Sequence, residues 1–305
     1  MSLSHGRRHP LASRSALVAT ALVAVALAGC APADSGTSNA ATSAATSSAD
    51  ACAKASLALL APGKLTIGTD KPAFEPWFKN DDPTTGEGFE SAVAYAVADR
   101  LGFAKAEVTW VVASFTSVIA PGPKPFDFDI NQVSITPERK AAIDFSSGYY
   151  DVTQAVVTVK GSKAVAVKAV ADLAKLKLGA QTGTTSFTAI TDVIKPATKP
   201  SVFNTNDDAK LALANGQIDA IVVDLPTALF ISAVGAADGG IDNGALVGTL
   251  PGTGSATEQF GLVLDKGSKL TGCVTQAVDA LRADGTLSKL EAQWLTETAG
   301  APVLS

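Results

Sequence analysis

Short apolar stretches are spaced along the chain from residue 64 onward, and several of them are followed by helical patterns. Residues 64–69 alternate apolar and polar side chains, which predicts a strand. Between 88 and 101 an apolar side chain recurs every four positions, which predicts a helix. Strands are further predicted at 108–112 and 126–134, and a helix begins near Thr136. Because strands alternate with helices, we expect a parallel sheet covered on both faces.

The same pattern then starts again in the second half of the chain. It predicts strands at 154–160, 177–181, 218–223 and 259–264, a short helix from 172, a helix after 186, and final helices at 268–283 and 286–295. Each of the two units has roughly the hundred residues of a small domain. The pattern therefore predicts an α/β protein of two lobes.

The first 29 residues are expected to be an export signal. Arg7, Arg8 and Arg14 form a basic start, and an apolar stretch from 16 to 27 is too short to span a bilayer permanently. The segment ends in Leu-Ala-Gly followed by Cys30, which is similar to the bacterial lipobox, where the cysteine is lipidated and becomes the new N-terminus. An incidental cysteine near an ordinary cleavage site is the alternative, and the export route stays open.

Residues 30–55 are expected to be the lipidated cysteine and a flexible tether, because residues 31–51 are rich in Ala, Ser and Thr and lack large apolar side chains. We expect the protein to be lipid-anchored at the extracytoplasmic face of the cell membrane. Cys52 and Cys273 are then the two remaining thiols in an oxidising compartment. A disulfide between them is expected, with two free thiols as the alternative.

Composition and charge remove several classes of function. The 305 residues are 47% hydrophobic and 17% charged, with 24 basic and 29 acidic side chains, and removal of residues 1–29 changes the formal charge from -5 to -8. A nucleic-acid partner is therefore not expected. His5 and His9 are the two histidines of the sequence, so the exported chain has no imidazole for nucleophilic catalysis or zinc binding. No metal and no cofactor are expected.

One segment carries a specific resemblance. Ser-Ile-Thr-Pro-Glu-Arg at 134–139, followed by Asp-Phe-Ser at 144–146 and Gly-Tyr-Tyr at 148–150, is similar to a signature of the amino-acid-binding proteins of ABC importers, solute-binding family 3. Further matches follow in chain order at 67–70 with Phe74, 88–90, 179–185, 219–224 and 282–286. The resemblance covers residues 62–297. The loop after Asp70 and the segment 120–125 depart from it.

The resemblance implies a type II periplasmic-binding-protein-like α/β fold of two lobes joined by two crossover strands. The crossovers are expected near 151–153 and 255–259. Lobe 1 would consist of 56–152 plus 257–305, with both chain ends, and lobe 2 of 153–256. The implied ligand lies between the lobes, outside the carboxyl ends of the strands. The implied protein is a monomer that delivers an amino acid to a membrane permease and is not an enzyme.

Arg139 is the residue that the resemblance assigns to the ligand's α-carboxylate. Thr136 and Pro137 have the pattern of a helix N-cap and first residue, which places Arg139 in the first turn, where the helix dipole disfavours a cation. A bound anion would remove that conflict, and a guanidinium can bind a carboxylate through two hydrogen bonds. The alternative is a surface arginine paired with Glu138 or Asp144.

Other site residues are expected at the ends of strands. Thr184 and Thr185, in a turn that opens a helix, are expected to bind the carboxylate from the opposite lobe, although the same turn is also an ordinary helix cap. Asp224 ends an apolar strand and is expected to bind the α-ammonium, with an N-cap as the alternative. Asp70 is a second candidate for the ammonium, and Ser134 lies at the same edge.

The ligand side chain is expected to meet a further group of residues. Phe74 would stack on it, and Trp77 would either extend that wall or belong to the core. The polar side chains expected to read the ligand are Glu75, Asn131, Gln132 and Gln181. Because Asp70 and Glu75 make the pocket mouth negative, a neutral polar or cationic side chain is favoured.

Two other classes of function are compatible with the same fold. Cyclohexadienyl or arogenate dehydratases use the cleft for catalysis, although no catalytic acid with its own positioning partner is evident here. A ligand-sensing lipoprotein would use the cleft to signal. We favour a substrate-binding lipoprotein of an ABC importer over both.

Overall fold

A computed structural model describes residues 51–252, 257–295 and 300–305. The strands are β1 Leu65–Thr69, β2 Val108–Val112, β3 Phe128–Asp129, β4 Asp144–Val152, β5 Gln154–Val159, β6 Leu178–Gln181, β7 Ser201–Phe203, β8 Ala220–Asp224, β9 Gly244–Thr249 and β10 Glu258–Leu264. The α-helices are α1 Phe89–Arg100, α2 Phe115–Ile119, α3 Pro137–Ala142, α4 Val170–Leu173, α5 Thr185–Ala189, α6 Asn206–Ala214, α7 Leu225–Ala233, α8 Thr271–Ala283 and α9 Thr286–Trp294.

The strands form two five-stranded sheets, ordered β2-β1-β3-β10-β4 and β7-β6-β8-β5-β9. In each sheet three strands are parallel, and the other two run antiparallel to their neighbours. The expectation of purely parallel sheets is thus wrong in part. The antiparallel strands are those on either side of the passages between the sheets, where the chain enters the next sheet directly instead of returning through a helix.

Each sheet carries apolar clusters on both faces, as the alternating pattern predicts. All five residues of β1 are buried, so the strand has no solvent face. The predicted helix at 88–101 is confirmed as α1, whose Phe89, Val93 and Val97 are fully buried against the first sheet. The predicted strand at 126–134 is reduced to two residues, β3.

We name the first sheet with α1–α3, α8 and α9 lobe 1, and the second sheet with α4–α7 lobe 2. Thr153 alone separates β4 from β5, so the first passage between the sheets lies within the expected range. The second passage, between β9 and β10, contains residues 253–256, outside the described residues. Each passage leads from the edge strand of one sheet to the strand next to the edge of the other.

The last described residues depart from the expected assignment of 257–305 to lobe 1. Residues 301–305 lie on lobe 2, where Val303 forms a parallel bridge with Thr249 at the edge strand β9. The backbone N–H of Leu304 donates to the carbonyl of Thr249 at 2.9 Å, and the Leu304 side chain is 3% exposed within a lobe 2 apolar cluster. Leu304 is buried there because lobe 2 offers an apolar surface that it can cover. The residues next to Leu304 in the sequence do not indicate this contact.

The start of the described chain is attached to lobe 1. Cys52 and Cys273 of α8 are joined by a disulfide, with their Cα atoms 5.3 Å apart. Lys54 Nζ forms an ion pair with Glu107 at 2.6 Å, so residues 51–55 pack on the lobe although the expected tether included them. Cys30 and the predicted signal peptide lie outside the described residues. Among the helices that are described, none is long and apolar enough to cross a membrane.

Candidate functional site

A polar cavity lies between the two lobes, at the carboxyl ends of β1, β3, β6 and β8. Ten of the twelve residues expected from the sequence line it: Asp70, Phe74, Asn131, Gln132, Ser134, Arg139, Gln181, Thr184, Thr185 and Asp224. Side chains that follow strands of two different sheets therefore share one surface. In mixed α/β folds this edge of the sheet is where ligands bind.

Arg139 extends from the first turn of α3 to the boundary between the lobes. Its Nη1 donates to the carbonyl of Ser134 at 2.6 Å, and its Nη2 donates to the carbonyl of Gly183, in lobe 2, at 2.8 Å. The guanidinium also stacks over Phe115, 5.4 Å from the ring centre. Burial lowers the pKa of Arg139 to about 10, so the side chain remains a cation at neutral pH.

Arg139 is not the surface arginine that the alternative described. Arg139 is 9% exposed, and its guanidinium donates to the two carbonyls and not to the acids that the alternative named. Asp144 pairs with Lys266 at 3.0 Å. Thr136 caps α3 by accepting the backbone N–H of Arg139 at 3.2 Å, and Pro137 is the first residue of the helix, as the sequence predicts. A buried guanidinium that bonds to two neutral carbonyls retains its positive charge without a counter-ion in direct contact.

The turn at 183–186 forms the facing wall in lobe 2. Thr184 caps α5 by accepting the backbone N–H of Phe187 at 3.1 Å. The hydroxyl of Thr185 is 3.1 Å from that of Ser134 in lobe 1. Ser134 Oγ also donates to Glu258 Oε1 at 2.6 Å. The two lobes are therefore in hydroxyl contact directly beside the Arg139 guanidinium.

Asp224 occupies the end of β8 and caps α7. Its Oδ1 accepts the backbone N–H of Thr227 at 3.0 Å, and its Oδ2 accepts the hydroxyl of Thr227 at 3.0 Å. Burial raises the pKa of Asp224 to about 6, against the lowering effect of these hydrogen bonds. Asp224 is therefore both the N-cap of α7 and a residue that borders the cavity. A cation beside the Asp224 carboxylate would compensate for the hydration that the carboxylate loses in this position.

Asp70 and Phe74 form the lobe 1 side of the cavity mouth. Asp70 Oδ2 accepts the backbone N–H of Phe115 at 3.1 Å, which connects the end of β1 to the start of α2. Phe74 borders the cavity with its ring, and Lys210 of lobe 2 lies 5.6 Å from the ring centre. An aromatic wall beside a carboxylate suits a ligand side chain with an apolar stem and a polar end.

Two expected residues lie outside the cavity lining. Trp77 is fully buried in the lobe 1 core, with edge-to-face contacts to Phe89, Tyr150 and Phe260. This is the core alternative that the sequence left open. Glu75 accepts the backbone N–H of Asn80 at 3.1 Å in the loop and does not border the cavity. Whether Glu75 reaches the cavity depends on the conformation of the loop after Asp70. That loop is also one of the two segments that depart from the resemblance.

The back wall of the cavity contains amides supported by buried acids. Asn131 is 7% exposed, and its Nδ2 has no hydrogen-bond partner among the described residues. Gln132 bonds to the fully buried Glu90 through its backbone N–H and its side-chain amide. Burial raises the pKa of Glu90 to about 7 and that of the fully buried Asp129 well above its ordinary value. Two carboxyl groups without solvent exposure, those of Glu90 and Asp129, therefore lie behind this polar wall.

Six lining residues were not expected from the sequence: Phe115, Gln154, Ser186, Asn206, Val223 and Phe260. Gln154 begins the strand after the passage at Thr153, and its Oε1 accepts the hydroxyl of Ser186 at 2.7 Å. Its position immediately after a predicted crossover was a usable signal. Asn206 begins α6, a helix that the apolar pattern does not predict, so nothing in the sequence marked it.

The cavity encloses about 50 Å³, which is room for a few water molecules. Entry of a larger ligand therefore needs separation of the lobes, and the Arg139–Gly183 and Ser134–Thr185 contacts are among those that separation breaks. Among the lining residues there are one guanidinium and two carboxylates, Asp70 and Asp224. No cluster of three metal-ligating side chains is found in the described part of the chain.

Comparisons with known proteins place this arrangement in context. The model of the bacterial extracellular solute-binding proteins, family 3, matches residues 65–297. An L-arginine-binding protein of Pseudomonas aeruginosa is 28% identical over 257 residues, covering 79% of this chain and 94% of that protein. The structure of an ancestral arginine-binding protein bound to glutamine is 29% identical, with a TM-score of 0.60, covering 77% of this chain and 99% of the other.

A third relative bears on the enzyme alternative. The ancestral amino-acid-binding protein AncCDT-1, described as a precursor of cyclohexadienyl dehydratase, is 29% identical. Its TM-score is 0.61, and the match covers 76% of this chain and 95% of that one. That ancestor is itself described as an amino-acid-binding protein.

Proposed function

Because this chain belongs to the bacterial extracellular solute-binding proteins of family 3, we propose that it is the lipid-anchored binding component of an ABC importer that encloses one amino acid between its lobes. The family is described as one of extracellular solute-binding proteins. The proposal adds the amino-acid ligand, the anchor at Cys30 and the delivery of the ligand to a permease.

One observation carries the proposal. A buried guanidinium from lobe 1 and a half-buried capping carboxylate from lobe 2 border the same cavity, and both retain capacity for a charged partner. Arg139 would exchange the carbonyl of Gly183 for the ligand's α-carboxylate, with Thr184 and Thr185 donating from the other lobe. Asp224 would accept the α-ammonium. An L-amino acid is the simplest molecule that joins these two groups.

The charges of the cavity favour a neutral polar or cationic side chain, and a basic one most. A zwitterionic head group uses Arg139 and Asp224 and leaves the Asp70 carboxylate at the mouth, beside the Phe74 ring. Amide groups of Asn131, Gln132 and Gln181 supply the remaining polar surface. Proteins similar to this chain are described as arginine-, histidine- and glutamine-binding. Aspartate and glutamate would meet like charge.

A thermal-shift screen tests the proposal. The exported chain without its lipid is heated with each common L-amino acid in turn, and binding to the folded state alone raises the melting temperature. We expect a rise with L-arginine, L-lysine, L-histidine or L-glutamine and none with L-aspartate. No shift with any amino acid would refute the proposed function. Incubation with arogenate, followed by product analysis, separates binding from dehydratase activity.

A further inference from the structure

Glu90 is a fully buried carboxylate directly behind the cavity wall. It is the second residue of α1 and has no solvent exposure. Its Oε1 accepts the backbone N–H of Gln132 at 2.7 Å and the hydroxyl of Tyr149, and its Oε2 accepts Nε2 of Gln132. Three donors thus converge on one carboxylate. Glu90 itself does not border the cavity, so its effect on a ligand has to pass through Gln132.

Gln132 has a backbone conformation that a residue other than glycine seldom adopts. Its φ is 48°, in the left-handed region. The hydrogen bond from its backbone N–H to Glu90 helps to hold this conformation. Gln132 is partly exposed and borders the cavity. Glu90 therefore helps to fix the backbone position from which the Gln132 side chain extends.

Glu90 also determines which way the Gln132 amide faces. An ionised carboxylate can only accept hydrogen bonds, so the amide must turn its NH₂ group toward Glu90. Among the described residues, none donates a hydrogen bond to the amide oxygen of Gln132. The oxygen is consequently the amide atom left to interact with a ligand in the cavity. An oxygen in that place accepts N–H groups and repels carboxylates.

We propose that Glu90 is a positioning residue that holds the Gln132 amide with its oxygen toward the ligand, so that the site selects amino acids whose side chains carry N–H donors. The inference rests on the proposed amino-acid binding and adds a reason for selectivity that Arg139 and Asp224 do not supply. Those two residues would bind the head group that all amino acids share.

Protonation of Glu90 would reverse the arrangement. A neutral carboxyl donates one hydrogen bond. With the proton on Oε2, the atom that faces the Gln132 amide, that amide turns its oxygen to accept the bond, which brings the NH₂ group to the cavity. Burial raises the pKa of Glu90 to about 7, so the change would fall in the neutral range.

The groups that act on Glu90 are few and mostly acidic. Tyr149 of β4 donates to it, Asp129 of β3 is a second buried acid, and the charge of Asp224 across the lobe boundary also raises the pKa of Glu90. Asp70 and Lys124 act on Asp129 with opposite signs. A cationic ligand side chain would act against these negative charges, lower the pKa of Glu90 and so favour its ionised form.

Glu90→Gln is the direct test, because the substituted side chain has one accepting oxygen and an NH₂ group that donates to the amide oxygen of Gln132. Dissociation constants for L-arginine and L-glutamate are measured by calorimetry on the wild type and the variant from pH 6 to 8.5. In the wild type, affinity for L-arginine should fall about tenfold from pH 8 to pH 6. In the variant the affinity for L-arginine should be at least tenfold weaker at pH 8 and should lose the part of the pH dependence that Glu90 causes. The ratio of the affinities for L-arginine and L-glutamate should also fall.

Gln132→Met is the matched variant, since it removes the amide and leaves Glu90 in place. It should also lose the part of the pH dependence that Glu90 causes, and adding Glu90→Gln to it should change the affinity no further. Melting temperatures establish that each variant folds, and Gln132→Met tests the inference even if Glu90→Gln does not fold. Unchanged affinity and pH profile in either variant overturns the inference while leaving amino-acid binding intact. A wild type that binds no amino acid overturns both.

Discussion

Trp77 Nε1 donates a hydrogen bond of 2.8 Å to the hydroxyl oxygen of Thr227, a residue 150 positions away in the other lobe. Trp77 is fully buried in the lobe 1 core, and Thr227 is 4% exposed in α7. The hydroxyl of Thr227 in turn donates to Asp224 Oδ2 at 3.0 Å. A residue that the sequence suggested as a binding-site wall instead connects the lobe 1 core to the proposed ammonium site.

Thr227→Val should weaken ligand binding by favouring separated lobes. The change keeps the shape of the side chain but leaves the Trp77 N–H without a partner when the lobes are together, which costs about 1–3 kcal/mol. Affinity should fall by about tenfold or more, and X-ray scattering should show a larger radius of gyration without ligand. Thr109→Val, on an exposed position of β2, is the control. Equal radii for Thr227→Val and Thr109→Val would show that the bond does not hold the lobes together.

Arg139→Ala should abolish amino-acid binding. Loss of the guanidinium leaves the ligand carboxylate unpaired in the cavity, at a cost of about 3 kcal/mol or more, or a hundredfold in affinity. Arg139→Lys should recover only part of it, because an ammonium cannot form the paired hydrogen bonds of a guanidinium. Arg100→Ala, at an exposed ion pair with Asp284, is the control. Calorimetry that finds wild-type affinity in Arg139→Ala would remove the proposed carboxylate site.

Replacing Cys52 and Cys273 together by serine should lower stability without changing ligand affinity. The disulfide closes a loop between residues 221 apart, and the loop-entropy model gives it about 5 kcal/mol. Both cysteines belong to lobe 1, and neither borders the cavity. Chemical denaturation measures the loss. Full alkylation of both thiols in the exported protein without reductant would show that the bond does not form.

The ligand-free protein should become less stable as the pH rises from about 5 to about 7.5. Burial raises the pKa of Glu90 from 4.5 to about 7 and that of Asp224 from 3.8 to about 6. A raised pKa means that the folded state prefers the neutral acid, so the stabilisation is complete below the unfolded pKa and is lost as the pH passes the folded one.

The size of this effect is measurable by urea unfolding at fixed pH values. For Glu90 alone the free energy of unfolding should fall by about 2 kcal/mol over the range, from the size of its pKa change. Glu90→Gln should reduce the slope, whereas Glu87→Gln, at an exposed position before α1, should not. A stability that stays level or increases between pH 5 and 7.5 would contradict the burial argument.

Cys30→Ala should release the exported protein from the membrane fraction. The proposed anchor depends on lipid attached at that cysteine, and a folded domain without it has no comparable attachment. Cell fractionation with immunodetection gives the result. A variant that remains in the membrane fraction would show that Cys30 is not the anchor.

The sequence by itself determined the secondary structure wherever apolar periodicity was strong, and it indicated most of the polar residues that border the cavity. α1 and β2 were predicted within a residue of their bounds, since one buried face requires a regular spacing of apolar side chains. Thr184 and Asp224 were expected because caps and charged groups at strand ends have local signatures, whereas Arg139 was assigned by the family resemblance. The family resemblance then implied that these residues share one cleft.

Only the tertiary structure decided the contacts that depend on distant parts of the chain. Trp77 became a core residue with a partner across the lobes, and Leu304 packed on lobe 2, because burial is settled by the surfaces that meet and not by neighbours in sequence. Glu90 is the clearest case. Its place in a helix was predictable, but its desolvation, its three donors and its hold on Gln132 arise only where α1, β4 and the end of β3 meet.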